Sequence, residues 1–241
     1  MEISLSRLHF PVTTLGPGRR VGIWMQGCSI RCPGCISSDT WVKKAPGTTV
    51  DELLVRVDSW LKECDGVTIS GGEPFDQPPA LELLLRGIRE LTTTNILVYS
   101  GKCLSELTDE PSVTAGLIDC LISEPFELNS PQTRYLMGSD NQVMTCITPL
   151  GRKVFGPLNR QAYESDRRLD VMFDEDGVVW LAGIPGRGDM ARLQVLLEET
   201  GTYLRTTEAK CRIPDDHKDV LQTNEYAKRT SLSWPSLGFC S

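Results

Sequence analysis

The 241-residue sequence predicts an α/β fold of parallel strands alternating with helices, followed by a small C-terminal α+β extension. Two observations predict it. From residue 21 to 123, short apolar runs alternate with amphipathic helical stretches, and parallel strands need such right-handed crossovers. Beyond residue 157 the pattern changes to a hairpin signal and a single helix. A chain of this length suits one domain with an appendage, or two small domains.

The elements follow in order. VGIWM, 21–25, is an apolar run that reads as a buried strand, and its C-terminal end delivers the loop GCSIRCPGC. In TTVDELLVRVDSWLKECDG, Thr49 and Glu52 form a capping box, while Leu53, Leu54, Val57, Trp60 and Leu61 share one helical face. GVTIS, 66–70, is a strand that ends directly in GGEPFDQPP. ALELLLRGIRELTT is helical, and NILVYSG is a strand ending in a turn of small residues. LSELTDE begins another helix, and GLIDCLIS is a further apolar strand that runs into EPFE. In parallel α/β sheets, ligands sit beyond the carboxyl ends of the strands. The cysteine loop, the GGEP loop, the SGK turn and the EPFE turn all fall at that edge, so four loops point to one site.

Composition narrows the chemistry. Apolar residues make up 40% of the chain, enough for a core at this length. With 25 basic and 32 acidic residues the net charge is −7, which argues against a nucleic-acid partner. No run approaches 18 apolar residues, so no membrane span is expected, and MEISLSRLHF lacks the pattern of a signal peptide. The expected compartment is the cytoplasm, where the nine cysteines stay reduced.

Cys28, Cys32 and Cys35 fall within eight positions. A structural zinc site usually joins two C-x-x-C pairs, or one pair with two histidines, and Cys32/Cys35 has no such mate. Cys64, Cys103, Cys120, Cys146, Cys211 and Cys240 are scattered singly, and the only histidines are His9 and His217. A redox dithiol would leave Cys28 without a role. Spacing therefore favours an iron–sulfur cluster, with zinc and chance as the alternatives. In SGGEPFDQ, Gly71 and Gly72 permit positive φ and bring bare backbone against a neighbour, and Glu73 adds a carboxylate. That loop suits a cationic group; alone it is also an ordinary strand-to-helix turn.

Together these residues resemble the radical S-adenosylmethionine (radical SAM) superfamily, with its three cysteines separated by three and two residues and its GGE motif. The resemblance sharpens to the activating enzymes of glycyl-radical proteins, above all the anaerobic ribonucleotide reductase activases. It rests on CPGCISSDTW, IDCLISEPFE and GSDNQVM, and covers about residues 1–150. It implies a partial (β/α) barrel of parallel strands over 1–157, with Cys28, Cys32 and Cys35 holding a [4Fe–4S] cluster. It implies that Gly71, Gly72, Glu73 and Ser100 bind S-adenosylmethionine, whose reductive cleavage yields a 5′-deoxyadenosyl radical. The implied substrate is a protein glycine, and the implied electron donor is one such as flavodoxin or ferredoxin. Asp119, Asn141 and Gln142 are family positions with either a functional or a structural part.

The chain departs from that family in three places. Ile36 stands where an aromatic residue is usual, and Glu124-Pro125-Phe126 replaces Gly-Pro-Phe. The third departure is length, since the family ordinarily ends near residue 155. LDVMFDEDGVVWLAG gives a hairpin with an Asp-Gly turn, and DMARLQVLLEETG gives a helix with Met190, Leu193, Leu196 and Leu197 apolar. Trp180 and Leu196 are expected to be buried in an extension over 158–207, and 208–241 reads as a polar, disordered tail. Two other functions stay open: a radical SAM enzyme acting on another peptide or a small molecule, and an iron–sulfur electron carrier or sensor.

Overall fold

The structure is a computed structural model that describes residues 1–173, 179–199 and 201. In chain order the strands and helices are β1 Glu2–Ile3, β2 Leu5–Val12, β3 Arg20–Met25, β4 Thr48–Thr49, α1 Val50–Glu63, β5 Gly66–Gly71, α2 Pro78–Leu91 and β6 Asn95–Tyr99. There follow α3 Leu104–Leu107, α4 Pro111–Thr114, β7 Cys120–Ser123, β8 Val143–Cys146, α5 Pro149–Phe155, β9 Leu169–Phe173, β10 Val179–Gly183 and α6 Asp189–Glu199.

The central sheet is mixed and mostly parallel, in the order β2-β3-β5-β6-β7-β8. Strands β3, β5, β6 and β7 run parallel, as their apolar runs and intervening helices predict. The edge strands β2 and β8 are antiparallel to their neighbours. Neither was read from the sequence: β2 is half-exposed and carries Pro11 within its run, and β8 has only four residues.

One sheet face is sealed by helices. Val21, Ile23 and Met25 pack with Leu53, Val57 and Leu61 of α1 and Leu81, Leu84, Leu85 and Ile88 of α2 in the main core cluster. The capping box that starts α1 is formed: Thr49 N donates to Glu52 Oε2 at 2.9 Å, and Glu52 N to Thr49 Oγ1 at 3.3 Å. The helix expected from LSELTDE is instead two single turns, α3 and α4, because Pro111 breaks the run.

The other sheet face carries Arg20, Trp24, Thr68, Leu97, Cys120 and Ile122, alternating with the residues under the helices. Arg20 is fully buried, and among the described residues no carboxylate forms an ion pair with it. Its guanidinium donates to Thr68 Oγ1 at 2.6 Å, Asn95 Oδ1 at 2.8 Å and Val67 O at 2.6 Å, and lies over the Phe155 ring at 5.6 Å. Burial lowers its pKa to about 10.

The extension covers part of this second face. β9 and β10 pair antiparallel from Val179↔Phe173 to Gly183↔Leu169; the Asp-Gly turn between them lies outside the described residues. Met172 and Ala182 are buried with Val12, Leu15 and Trp24, and the Trp180 ring meets Trp24 edge-on at 5.1 Å. Asp170 anchors the hairpin, accepting from Thr13 N at 2.6 Å and Thr13 Oγ1 at 2.8 Å. One expectation fails here. Leu196 is 60% exposed, and α6 is buried through Met190 instead. The helix turns Met190, Leu193 and Leu197 inward at i, i+3 and i+7, which leaves Leu196 on the outer flank. The tail from residue 208 lies outside the described residues.

Leu84→Ala, at the sealed face, should lower unfolding stability by about 2–5 kcal/mol, whereas Leu196→Ala should change it by less than about 0.5 kcal/mol. Urea unfolding of the two variants reads the difference directly, and equal losses would place Leu196 in a packed core.

Candidate active site

The loop after β3 is held by its neighbours. Gly27 N donates to Thr40 O at 2.7 Å and Cys28 N to Trp41 O at 3.1 Å, so residues 40–41 run back along its start. Ser29 docks on the GGEP loop: its N–H and hydroxyl donate to the Asp76 carboxylate at 2.7 and 2.8 Å. Within the loop, Cys35 N donates to Cys32 O at 3.1 Å, and Arg31 and Gly34 take positive φ of 54° and 77°. This winding leaves the three cysteines half-buried around one cavity.

The GGE segment lies directly against this loop. Gly72 N donates to Met25 O and Glu73 N to Gly27 O, both at 2.8 Å. Gly71 has φ of 100°, and a Cβ there would stand 2.6 Å from the Met25 backbone nitrogen and oxygen. A Cβ on Gly72 would collide with the Gly27 carbonyl. Both glycines are therefore required by the contact between two backbones, whatever ligand lies beyond them.

Glu73 is 1% exposed. Its Oε1 accepts from Phe75 N at 3.0 Å and Ser100 Oγ at 2.8 Å, and its Oε2 from Gly101 N at 2.8 Å. Burial pushes its pKa up, and these three donors oppose the rise. A carboxylate has about four acceptor sites, so one stays available on a residue that lines the cavity. Ser100 acts through Glu73 and also accepts from Lys102 N at 3.0 Å.

The cavity has a volume of about 450 Å³. Its walls are Cys28, Cys32 and Cys35, the 71–73 segment with Ser100, Glu124 with Phe126, and the extension from Val179 to Arg187. Burial pushes the Cys35 thiol up to about 11 and also raises Cys32, so thiolates in this wall need positive charge beside them. Three closely spaced thiols on one cavity wall are a donor set that would suit an iron–sulfur cluster.

The remaining family positions separate by place. Asp119 sits at the opposite end of β7, where its carboxylate accepts from Arg89 Nη2 at 2.6 Å, Ile96 N at 2.8 Å and the Thr148 hydroxyl. Asn141 and Gln142 hold the EPF turn: Asn141 Nδ2 donates to Pro125 O at 2.7 Å, and Gln142 Nε2 to Glu124 O at 3.3 Å. Glu124 takes φ of 78°, a conformation that glycine adopts without strain, which is the physical reason for a small residue in the family pattern. Its carboxylate is used, accepting from Leu104 N at 2.8 Å. Sequence reasoning missed Asp76, although an acid three residues after GGE was in plain view. It expected the hairpin and helix of the extension to pack on the core, as the hairpin does, but had no local signal that they would line this cavity.

The model of the 4Fe-4S single cluster domain matches residues 14–145. The chain belongs to that family. It is a radical SAM enzyme, and its cofactors are a [4Fe–4S] cluster and S-adenosylmethionine. The anaerobic ribonucleoside-triphosphate reductase-activating protein of Escherichia coli (strain K12) is 30% identical over 146 residues, covering 56% of this chain and 94% of that protein. The pyruvate formate-lyase-activating enzyme of Staphylococcus aureus (strain USA300) is 37% identical over 100 residues, 39% of this chain and 40% of that one. Among solved structures, QueE from Escherichia coli covers 42% of this chain and 53% of its own, with 17% identity and a TM-score of 0.35. The family match ends before α5, so the extension lies outside it. None of the described helices is long and apolar enough to cross a membrane.

Gly72→Ala should reduce both the folded fraction and the iron retained after anaerobic reconstitution, because its methyl group meets backbone. Gly156→Ala, where no atom lies within 4 Å, should leave both unchanged. Iron per chain and circular dichroism check the pair.

Proposed function

We propose that this chain cleaves S-adenosylmethionine reductively and uses the resulting radical to abstract hydrogen from a protein glycine, as an activase of a glycyl-radical enzyme. The observation that carries the reading is the meeting of the cysteine loop and the GGE loop at one cavity. Cys28, Cys32 and Cys35 would hold the cluster by their thiolates, three ligands that would leave it open to the cofactor's methionine end. Glu73, with one acceptor site to spare, takes the cofactor's ammonium group, and Ser100 holds that carboxylate in place. Gly71 and Gly72 fix the distance between the two loops. The chemistry the bound cofactors supply is one-electron cleavage of a sulfonium to a 5′-deoxyadenosyl radical. The protein orients the pieces and limits water in the cavity. The electron comes from a low-potential flavin or iron–sulfur donor protein.

This division assigns the chemistry to residues 1–157 and substrate contact to 158–207, with 208–241 as a polar tail. A second reading has a specific observation in its favour. The wall from Val179 to Arg187 lies outside the family match and shares the cavity with the cysteines, so the substrate can be another peptide or a small molecule. Arg187 holds that wall, donating to Glu127 O and Ser130 O at 3.1 Å and to Gly138 O at 3.2 Å.

Anaerobic, reduced protein should convert S-adenosylmethionine to methionine and 5′-deoxyadenosine. Alanine at Cys28, Cys32 or Cys35 should remove cluster absorption and this activity, while Cys64→Ala retains both. Loss in the Cys64 variant as well would sink the ligand assignment. A glycyl-radical signal on a protein partner, with deoxyadenosine formed in proportion, supports the activase reading; cofactor cleavage with no such signal favours the second.

Glu73→Gln should retain iron but weaken S-adenosylmethionine binding by about tenfold to a hundredfold, the loss of one charge-assisted hydrogen bond. Titration calorimetry on the unreduced, cluster-loaded protein measures it. Unchanged affinity would remove Glu73 from the cofactor site.

A further inference from the structure

Two of the cysteines scattered in sequence stand face to face in the sheet. Cys120 of β7 and Cys146 of β8 are direct partners in an antiparallel ladder. The hydrogen bond from Ile147 N to Asp119 O, at 2.8 Å, joins the residues flanking the pair. That bond makes Cys120/Cys146 a non-hydrogen-bonded pair, the type in which opposite Cα atoms come to about 4.5 Å and side chains are closest. Disulfides usually span Cα separations of about 4.4–6.8 Å, a range that includes the spacing typical of such a pair. Both side chains lie on the same sheet face, as directly opposite residues of a ladder do. Cys120 is fully buried and Cys146 half-buried, so a reagent reaches the pair through Cys146.

We propose that Cys120 and Cys146 form a redox-active dithiol that closes to a cross-strand disulfide on meeting a low-molecular-weight disulfide. In the first step the Cys146 thiolate attacks one sulfur of the small disulfide, breaking its S–S bond and releasing one small thiol. The Cys120 sulfur then attacks the Cys146 sulfur of the mixed disulfide and releases the second small thiol. Two protein thiols are oxidised, one small disulfide is reduced, and the two thiol protons leave on the released thiols. Burial and the neighbouring Cys146 thiol push the Cys120 thiol upward, which agrees with Cys146 attacking first. The bond staples β7 to β8, between which Gln142 and Glu124 fasten the EPF turn of the cavity wall. It draws on none of the cluster cysteines and stands independently of the substrate reading.

The test is peptide mapping of the full, cluster-loaded chain after anaerobic incubation with oxidised glutathione. The expected product joins the Cys120 and Cys146 peptides, with the mass of the pair less two hydrogen atoms, and dithiothreitol reverses it. Cys103→Ser, at an exposed position on the same tryptic peptide as Cys120, should keep the link. Cys146→Ser should abolish it and leave Cys120 alkylatable once the protein is unfolded. A stable glutathione adduct on Cys146 with Cys120 still a thiol overturns the proposal. So does pairing of either residue with another cysteine, or oxidation of Cys103 while both stay reduced.

Discussion

The contact between Gly72 and Gly27 is the constraint on which the site depends. The two backbones meet with no room for a Cβ, and hydrogen bonds at 2.8 Å from Gly72 N and Glu73 N to the β3 end bind the loops together. Asp76 adds a second fastening through Ser29. Because the cysteine loop and the carboxylate loop are one packed unit, the separation between thiols and Glu73 is set before any cofactor arrives. Preorganisation of this kind lowers the cost of ordering the site on binding.

A second constraint acts on the inner sheet face. A fully buried guanidinium is tolerated at Arg20 because side-chain oxygens, backbone carbonyls and the Phe155 ring surround it. Removing any of those acceptors would leave a buried charge less satisfied, which ties β3, β5, β6 and α5 to one arrangement. The extension seals the neighbouring part of this face with Met172, Ala182 and Trp180, and in doing so it becomes a wall of the cavity. Structural cover and cavity wall are thus the same surface.

Much of this was legible in the residues. The parallel strands showed as short apolar runs because both of their faces are buried, and α1 announced itself through Thr49 and Glu52. The four loops at one edge followed from strand direction alone. The antiparallel edges were not legible, since β2 and β8 are short or half-exposed and carry little periodicity. Leu196 misled because an apolar residue in a helix has a direction only relative to its partner, and Met190 had the stronger claim on that partner.

The sequence by itself determined the candidate chemistry: three clustered cysteines, a GGE turn, and the strand direction that brings them to one edge. These are local patterns: spacing alone left zinc open, and it was their combination that resembled a known family. Only the tertiary structure decided that Gly71 and Gly72 serve backbone contact first, that the extension lines the cavity, and that Cys120 faces Cys146. Those facts depend on register and packing between segments far apart in the chain, where a shift of one residue would turn every side chain to the other face.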